Sequence, residues 1–339
     1  MQAIQQAIKQ LLEGCNLKFA QAQEVMNEIM QAKATPVQMA AYLSLLSMKG
    51  ESIEEITGSA LSMRAHCTRL EHNLDVLEIV GTGGDQSNSF NISTTSAFVI
   101  AAGGVPVAKH GNRAASSKSG AADVLEALGV NILVSPEKSL ELLQKINICF
   151  LFAPKYHTAM KHIASVRKEL GIKSIFNILG PLSNPANAQI QLMGVYESAL
   201  VEPLAKVMSN IGVKRGMVVY GMDGLDEISL SSRTKICEID FAKFKTYEIE
   251  PKEVGYEFCK KEHLRGGDAK ENAKITREIL SGKDTGAKRQ AVCLNAGAAL
   301  YLAGKTQSFE QGVRLSERLI NEGKAEVKLE QFITQSNQQ

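Results

Sequence analysis

The chain lacks the sequence features of several large protein classes. Its 339 residues include no tryptophan, so the protein contributes no indole fluorescence. The six cysteines are scattered without a C-x-x-C pair, which argues against a structural zinc site or a disulfide framework and favours reduced thiols. The net charge is only +2, so the whole chain carries no electrostatic signature of nucleic-acid binding. No apolar run reaches the ~20 residues that a membrane helix needs.

The composition is that of an ordinary globular protein. Hydrophobic residues make up 44% of the chain and charged residues 22%, which argues against disorder. Residues 1–13 are amphipathic and lack the basic flank and apolar centre of a signal peptide. We therefore expect a cytoplasmic protein with no nucleic-acid or membrane partner.

The first part of the chain, residues 1–72, has the pattern of consecutive helices. Apolar residues recur at helical spacing, and Thr35-Pro36 and the pair Ser52 and Glu55 are typical helix starts. This pattern predicts a small all-helical domain. Its apolar stripes could serve its own core or a partner subunit.

From Val76 onward, short β-branched strands alternate with helices, which predicts a largely parallel sheet. Two strands follow each other directly between residues 235 and 250, so we expect an antiparallel edge. Residues 176–185 contain two prolines and a glycine and are predicted to form a shaped, hinge-like loop. The predicted fold class is α/β, with residues 1–72 as a helical domain, completed by a segment near 166–185, and residues 73–339 as the larger α/β domain.

A glycine-rich loop, GTGGD at residues 81–85, follows the first predicted strand. It is not a dinucleotide fingerprint, because the third glycine of G-x-G-x-x-G would fall on Gln86. Taken alone the loop could be a simple tight turn. The segment from Asn91 to Thr94 then opens a helix, and a strand, a glycine loop and a helix N-terminus together are typical of phosphate binding.

Residues 109–120 add positive charge and hydroxyl groups after the next strand. The composition is also that of a solvated surface loop. However, the segment lies between a buried strand and a helix start, which is where ligands bind in α/β sheets.

Asp226 and Glu227 are adjacent carboxylates in a glycine-containing loop that follows the strand near residues 217–220. An acidic turn is the simple interpretation, but hard oxygen ligands next to phosphate loops favour Mg²⁺. Arg167 could be a surface arginine or could bind a carboxylate. His157 and His162 are five residues apart, a spacing that does not place two metal ligands on one helix face.

Several of these motifs occur together, in order, along nearly the whole chain. The segments 81–85, 91–94, 109–120, 176–182 and 223–228, with NAGAALY at 295–301, resemble the motif set of the anthranilate phosphoribosyltransferase family. The resemblance implies transfer of the 5-phosphoribosyl group from phosphoribosyl pyrophosphate to the amine of anthranilate. It also implies a Mg²⁺ cofactor and a homodimer joined through the helical domain.

The resemblance assigns site residues by position. Lys109, Asp226 and Glu227 are expected to be catalytic, and Ser93, Asp226 and Glu227 to handle Mg²⁺. Asn112, Arg167 and the backbone of Gly81 are expected to face anthranilate. The residues expected to hold phosphoribosyl pyrophosphate are Gly81, Gly84, Asp85, Ser89, Asn91, Ile92, Ser93, Thr94, Lys109, His110, Gly111, Asn112, Arg113, Ala114, Ala115, Ser116, Ser117 and Ala121.

The chain departs from the family pattern at Gln86, Ser89, Thr158 and Ser165, of which the last two lie near the expected anthranilate side. None of these departures removes a charge that the chemistry requires. Two other functions remain open. A pyrimidine nucleoside phosphorylase has a related architecture but would need no paired carboxylates for Mg²⁺. A catalytically silent phosphoribosyl-pyrophosphate-binding protein would have no need of intact Lys109, Asp226 and Glu227.

Overall fold

The structure, a computed structural model, describes residues 2–114 and 118–338. Within these residues, helices precede, separate and follow the strands of one sheet. The first helices are α1 (Ala3–Leu12), α2 (Phe19–Met30), α3 (Pro36–Lys49) and α4 (Ile53–Ala65). The alternating part comprises β1 (Leu77–Gly81), α5 (Ile92–Ala102), β2 (Val107–Gly111), α6 (Ala121–Leu128), α7 (Pro136–Ile146), β3 (Ile148–Phe152), α8 (Ala153–Tyr156), α9 (Lys161–Leu170), α10 (Phe176–Leu182), β4 (Ile190–Gly194), α11 (Val201–Asn210) and β5 (Arg215–Gly221). The chain ends with β6 (Thr234–Asp240), β7 (Lys243–Ile249), α12 (Ala269–Leu280), α13 (Ala287–Leu302), α14 (Phe309–Asn321) and α15 (Lys324–Ser336).

The starts of the N-terminal helices are set by side-chain caps. Ser52 Oγ accepts from the Glu55 backbone N–H at 3.3 Å, and the Glu55 carboxylate accepts from the Ser52 N–H at 2.6 Å. Thr35 caps α3 in the same way. Helix α1 has no cap of its own, and Glu28 of α2 instead accepts from its first backbone N–H groups. These bonds satisfy donors that a helix leaves unpaired at its N-terminus.

Helices α9 and α10 pack against the N-terminal helices. Ile163 and Phe176 belong to the same buried cluster as Met26 and Leu43, and so does Val218 on one face of the sheet. Helices α1 to α4, α9 and α10, which we call the helical layer, therefore pack directly on that face. The domain limits 1–72 and 73–339 remain a proposal.

The sheet has seven strands in the order β3-β2-β1-β4-β5-β6-β7 within the described residues. Strands β3 to β5 of this order run parallel, and β6 and β7 are antiparallel, so the predicted parallel sheet with an antiparallel edge is confirmed. From β1 the chain continues to β2 on one side and later enters β4 on the other. The carboxyl ends of β1 and β4, where Gly81 pairs with Gly194, therefore form a topological switch point, where ligands bind in open α/β sheets.

Two segments differ from the prediction. The sequence predicts a short strand over residues 105–108, but β2 extends to Gly111, because Lys109 and His110 pair with β3 and find buried polar partners. Residues 176–185 were expected to form a loop, but Phe176–Leu182 is a short helix. Pro181 lies inside this helix and removes one i→i−4 hydrogen bond, and the buried side chains of Phe176 and Leu179 hold the helix in place despite that loss.

In the described part of the chain, no helix combines the length and apolarity needed to cross a bilayer.

Candidate active site

The candidate site lies at the carboxyl ends of β1 and β4, where Asp226 packs against two glycines. A Cβ atom at Gly81 would lie 2.8 Å from the carboxyl carbon of Asp226, and a Cβ at Gly194 would overlap the Asp226 backbone. Only glycine allows this close approach. The strand ends and the loop after β5 therefore hold Asp226 inside the site.

Backbone N–H groups of the glycine loop and of α5 bind the two neighbouring carboxylates. The Gly83 N–H donates to Asp226 Oδ2 at 2.7 Å, and the Ser93 N–H donates to Glu227 Oε1 at 3.1 Å. In this structure, two of the backbone N–H groups predicted to bind a phosphate therefore bind the protein's own carboxylates, and their role toward a phosphate stays a prediction. Any bound phosphate would share these donors with the carboxylates or displace them.

Three carboxylates converge at this point. Burial and then the charges of Asp85 and Glu227 raise the pKa of Asp226 well above its usual range. Burial raises the pKa of Glu227 to about 7, although the Lys109 ammonium acts in the opposite direction. Asp85 Oδ2 is buried and has no hydrogen-bond partner among the described residues. Like charges forced together beside an unsatisfied oxygen form a site that a cation would stabilise.

The carboxylates do not form a complete metal cage. Among the described residues, no group of three or more histidine, cysteine, aspartate and glutamate side chains can hold a metal ion. A cation here would need oxygen ligands from elsewhere, as Mg²⁺ commonly does with substrate phosphates.

Lys109 lies beneath the start of α5 and not at the surface. Its Nζ donates to the Ile79 carbonyl at 2.7 Å and to Ser93 Oγ at 3.2 Å. Burial lowers its pKa to about 8, while the charges of Glu227, Glu78 and Asp226 act against the shift. The ammonium is therefore held among acidic groups, where it offsets part of their negative charge.

His110 and His157 form a buried pair, with ring centroids 5.0 Å apart. Burial and then the neighbouring His157 lower the pKa of His110 to about 3, and burial lowers that of His157 to about 4. Both imidazoles are neutral near pH 7. The Nε2 atom of each is buried without a partner among the described residues.

The segment after β2 folds around one carboxylate. Asp123 Oδ2 accepts from the N–H groups of Ala114 and Gly120, both at 2.8 Å. Arg113 is held by Asp123 and by both carboxylate oxygens of Glu126. Arg113 is thus ion-paired with α6, and the contact with phosphoribosyl pyrophosphate that the family resemblance implies stays a prediction. The predicted residues Ala115, Ser116 and Ser117 lie outside the described part of the chain.

Other predicted residues lie around the site, where they are buried or bind neighbouring segments of the protein. The sequence offers several candidate caps for α5, and Asn91 is the residue that precedes the helix, but its side chain donates to the Ser119 carbonyl and accepts from Asn272. Ile92 and Thr94 are buried. The remaining members are placed along the loops. Ser89 accepts from Ser87 Oγ, Gly84 has a φ of +74° and Asn112 is exposed. A Cβ atom at Gly111, where β2 ends, would lie 3.1 Å from the Cβ of Ala121.

Arg167 lies on α9 with its guanidinium 5.1 Å from the centre of the Phe176 ring. Burial lowers its pKa, and no ion pair of Arg167 occurs among the described residues. The structure thus brings together Gly81, Asp85, Ser93, Lys109 and the two loop carboxylates, whereas Arg167 belongs to α9 and packs on Phe176 of α10.

Comparison with known proteins agrees with this architecture. The a/b domain of a glycosyl transferase family matches residues 73–326, and the helical bundle domain of the same family matches residues 5–67. An anthranilate phosphoribosyltransferase of Methanobrevibacter smithii is 59% identical to this chain, covering 98% of it and 99% of the relative. The chain belongs to the anthranilate phosphoribosyltransferase family.

Further members of this family are similar over nearly their whole length. The enzyme of Lachnoclostridium phytofermentans is 55% identical, over 98% of this chain and 99% of its own. The crystal structure of the Thermus thermophilus enzyme matches with a TM-score of 0.94 at 42% identity, covering 100% of both chains. The Saccharomyces cerevisiae enzyme in complex with phosphoribosyl pyrophosphate and Mg matches with a TM-score of 0.89 at 30% identity, covering 98% of this chain and 97% of its own.

The motif segments included Asn295 and Asp223, but the sequence assigned neither of them a role in the site. Asn295 holds the acidic loop, because its side chain accepts from the Ile228 N–H at 2.9 Å and donates to the Ile228 carbonyl at 3.0 Å. Asp223 accepts from the hydroxyls of Ser229 and Ser232. An asparagine inside the apolar helix α13 was a visible signal. No local signal connected His157 with His110.

Proposed function

We propose that this chain transfers the 5-phosphoribosyl group from phosphoribosyl pyrophosphate to the amine of anthranilate, giving N-(5-phosphoribosyl)anthranilate and pyrophosphate, as one step of tryptophan biosynthesis. The observation that carries the proposal is the convergence of Asp85, Asp226 and Glu227 with the glycine loop at the switch point of the sheet. Family membership provides the reaction, and this geometry provides the charge arrangement that the reaction needs.

We propose that Asp226 and Glu227 hold Mg²⁺, with Ser93 and Asp85 beside them. The buried, partnerless Asp85 Oδ2 and the raised pKa values of its neighbours fit a cation at this point. When bound, Mg²⁺ would neutralise part of the charge on the departing pyrophosphate. The yeast relative's complex with phosphoribosyl pyrophosphate and Mg supports the assignment.

The chain's own groups would act by position and charge. The bond from the ribose C1 to pyrophosphate breaks, a bond from C1 to the anthranilate nitrogen forms, and the amine loses one proton. An aryl amine is largely unprotonated near neutral pH, so no strong base is required. The N-terminus of α5 and the buried ammonium of Lys109 place positive charge near the leaving group. Neutral His110 adds no competing charge.

We assign the anthranilate carboxylate to Arg167, with Asn112 beside the substrate. The guanidinium is half-buried, stacks on Phe176 and has no carboxylate partner in the described part of the chain. Such a group binds a planar carboxylate well. Since Arg167 belongs to the helical layer and the glycine loop to the sheet, the two substrates would meet between them.

We also propose that the chain forms a homodimer through its helical layer. Val37 and Met48, both on α3, are each 79% exposed, and Leu12 of α1 is 68% exposed. Light scattering should give a dimer mass for the wild type and a monomer mass for Val37→Asp combined with Met48→Asp. Phe241→Asp, at an exposed apolar residue of the β6–β7 turn, should leave the mass unchanged. A wild-type monomer at micromolar concentration would contradict the interface. The expected cytoplasmic location also remains a prediction.

The test of the proposed function is a comparison of substrates. Anthranilate, phosphoribosyl pyrophosphate and Mg²⁺ should be converted, whereas a pyrimidine nucleoside with phosphate should not. Conversion of the nucleoside alone would replace the proposal with a phosphorylase. Binding of phosphoribosyl pyrophosphate without turnover would replace it with a silent binding protein.

A further inference from the structure

Lys173 is a basic residue that the helical layer carries to the glycine loop. It lies between α9 and α10, and its carbonyl oxygen accepts from Ser47 Oγ of α3 at 3.0 Å. The backbone at this position is therefore fixed to the helical layer. Its side chain is exposed.

The side chain of Lys173 reaches the carboxyl end of the sheet. Its Nζ lies 3.8 Å from the centre of the Tyr196 ring, and Tyr196 follows the end of β4 at Gly194 by two residues. A Cβ atom built at Gly84 would lie 4.0 Å from the Cε atom of Lys173. The lysine thus spans from the helical layer to the loop that is proposed to bind pyrophosphate.

The ammonium of Lys173 has no ion pair among the described residues. Burial and then the charges of Glu51 and Glu197 raise the pKa of Tyr196, so both carboxylates are close enough to act on that ring, yet neither pairs with Lys173. Its contact with the ring is a cation–π interaction, which is weak at an exposed site. A ligand phosphate within reach would offer a stronger partner.

We propose that Lys173 binds the pyrophosphate group of the substrate from the helical side of the cleft. The other groups at this site come from β1, α5 and the loop that carries Asp226 and Glu227. The inference rests on the proposed function, because it takes the glycine loop as the pyrophosphate site. Tyr196 holds the ammonium beside the loop in the absence of ligand. When pyrophosphate is bound, the Lys173 contact links the helical layer to the sheet.

The test uses binding and not turnover. Isothermal titration of the full chain with inorganic pyrophosphate and Mg²⁺ should give a Kd that rises about two- to fivefold in Lys173→Met, the loss expected for one exposed charge contact. The salt dependence of Kd should also become weaker in this variant. Lys173→Arg keeps the charge and should recover most of the affinity. Lys243→Met, which removes the same charge from an exposed lysine on β7, should bind like the wild type.

The outcomes separate the two proposals. A wild type that does not bind pyrophosphate with Mg²⁺ contradicts the proposed function itself. A wild type that binds, together with Lys173→Met that binds equally well and with the same salt dependence, overturns the role of Lys173 alone. Equal weakening in Lys173→Met and Lys243→Met also overturns it, because the effect would then be one of net charge.

Discussion

Gly81→Ala should displace the carboxyl group of Asp226 without straining the backbone. Gly81 does not lie in the left-handed region, so alanine can adopt its backbone angles. The new Cβ would lie 2.8 Å from the Asp226 carboxyl carbon, whereas two carbon atoms normally approach to about 3.5–4.0 Å. The carboxyl group must therefore move by about 1 Å.

This movement should be costly for activity. It breaks or lengthens the 2.7 Å hydrogen bond from the Gly83 N–H, and bonds to charged groups are worth ~1.5–3 kcal/mol. A displacement of about 1 Å in a catalytic constellation can reduce the rate by ~100-fold. We expect kcat/KM to fall by about that factor, with an increased Mg²⁺ requirement and a Tm only a few degrees lower.

The assay follows the loss of anthranilate fluorescence, with little background because the chain has no tryptophan. Activity is measured over a Mg²⁺ titration, and circular dichroism checks folding. Gly286→Ala is the matched control, because its Cβ would have only one contact, at 3.4 Å, and its φ is −90°. If Gly81→Ala kept kcat/KM within about threefold of the wild type at low Mg²⁺, Asp226 would not need its observed position.

Three further outcomes are expected. Burial raises the pKa of Glu227 to about 7, so without metal the contribution of this carboxyl group to stability is present at low pH and is lost as the pH rises towards 7. The increase in Tm caused by Mg²⁺ should then be larger at pH 8 than at pH 6. An equal increase at both pH values would contradict a metal on this carboxylate. Arg167→Ala should raise the KM for anthranilate about ten- to a hundredfold and leave that for phosphoribosyl pyrophosphate nearly unchanged, since it removes one charge-assisted bond; equal effects on both would make the residue structural. Phe241 and Ala242 have φ values of +46° and +64° in a two-residue turn between β6 and β7, a turn type that favours Asn-Gly. The double variant Phe241→Asn with Ala242→Gly should therefore raise Tm by about 2–4 °C in thermal unfolding. A lower Tm would show that Phe241 is needed for packing.

Much of the fold follows from local signals in the sequence. The sequence predicts a strand at Ile148–Phe152 and a helix at Ala121–Leu128, and β3 and α6 have these bounds, because each is a short apolar run or helix start between clear breakers. The end of β2 was wrong because Lys109 and His110 look like surface residues, and only the pairing with β3 makes them strand residues. The helix at Phe176 was missed because tertiary packing overrides the local effect of Pro181.

The site was less accessible to sequence reasoning. Motifs and family resemblance selected Asp226, Glu227 and Lys109, but their mutual arrangement depends on contacts far apart along the chain. The approach of Asp85 to Asp226 and of His157 to His110 has no signature in local spacing. The motif that contains Lys109 also does not show that this side chain is buried beneath the start of α5.

The most direct measurement is the stoichiometry of a single reaction mixture that contains the chain, anthranilate, phosphoribosyl pyrophosphate and Mg²⁺. Each mole of anthranilate lost should release one mole of pyrophosphate, and Asp226→Asn combined with Glu227→Gln should abolish both changes while the protein stays folded. Release of pyrophosphate without loss of anthranilate would show hydrolysis instead of transfer. Full transfer by the double variant would show that these carboxylates do not hold the metal.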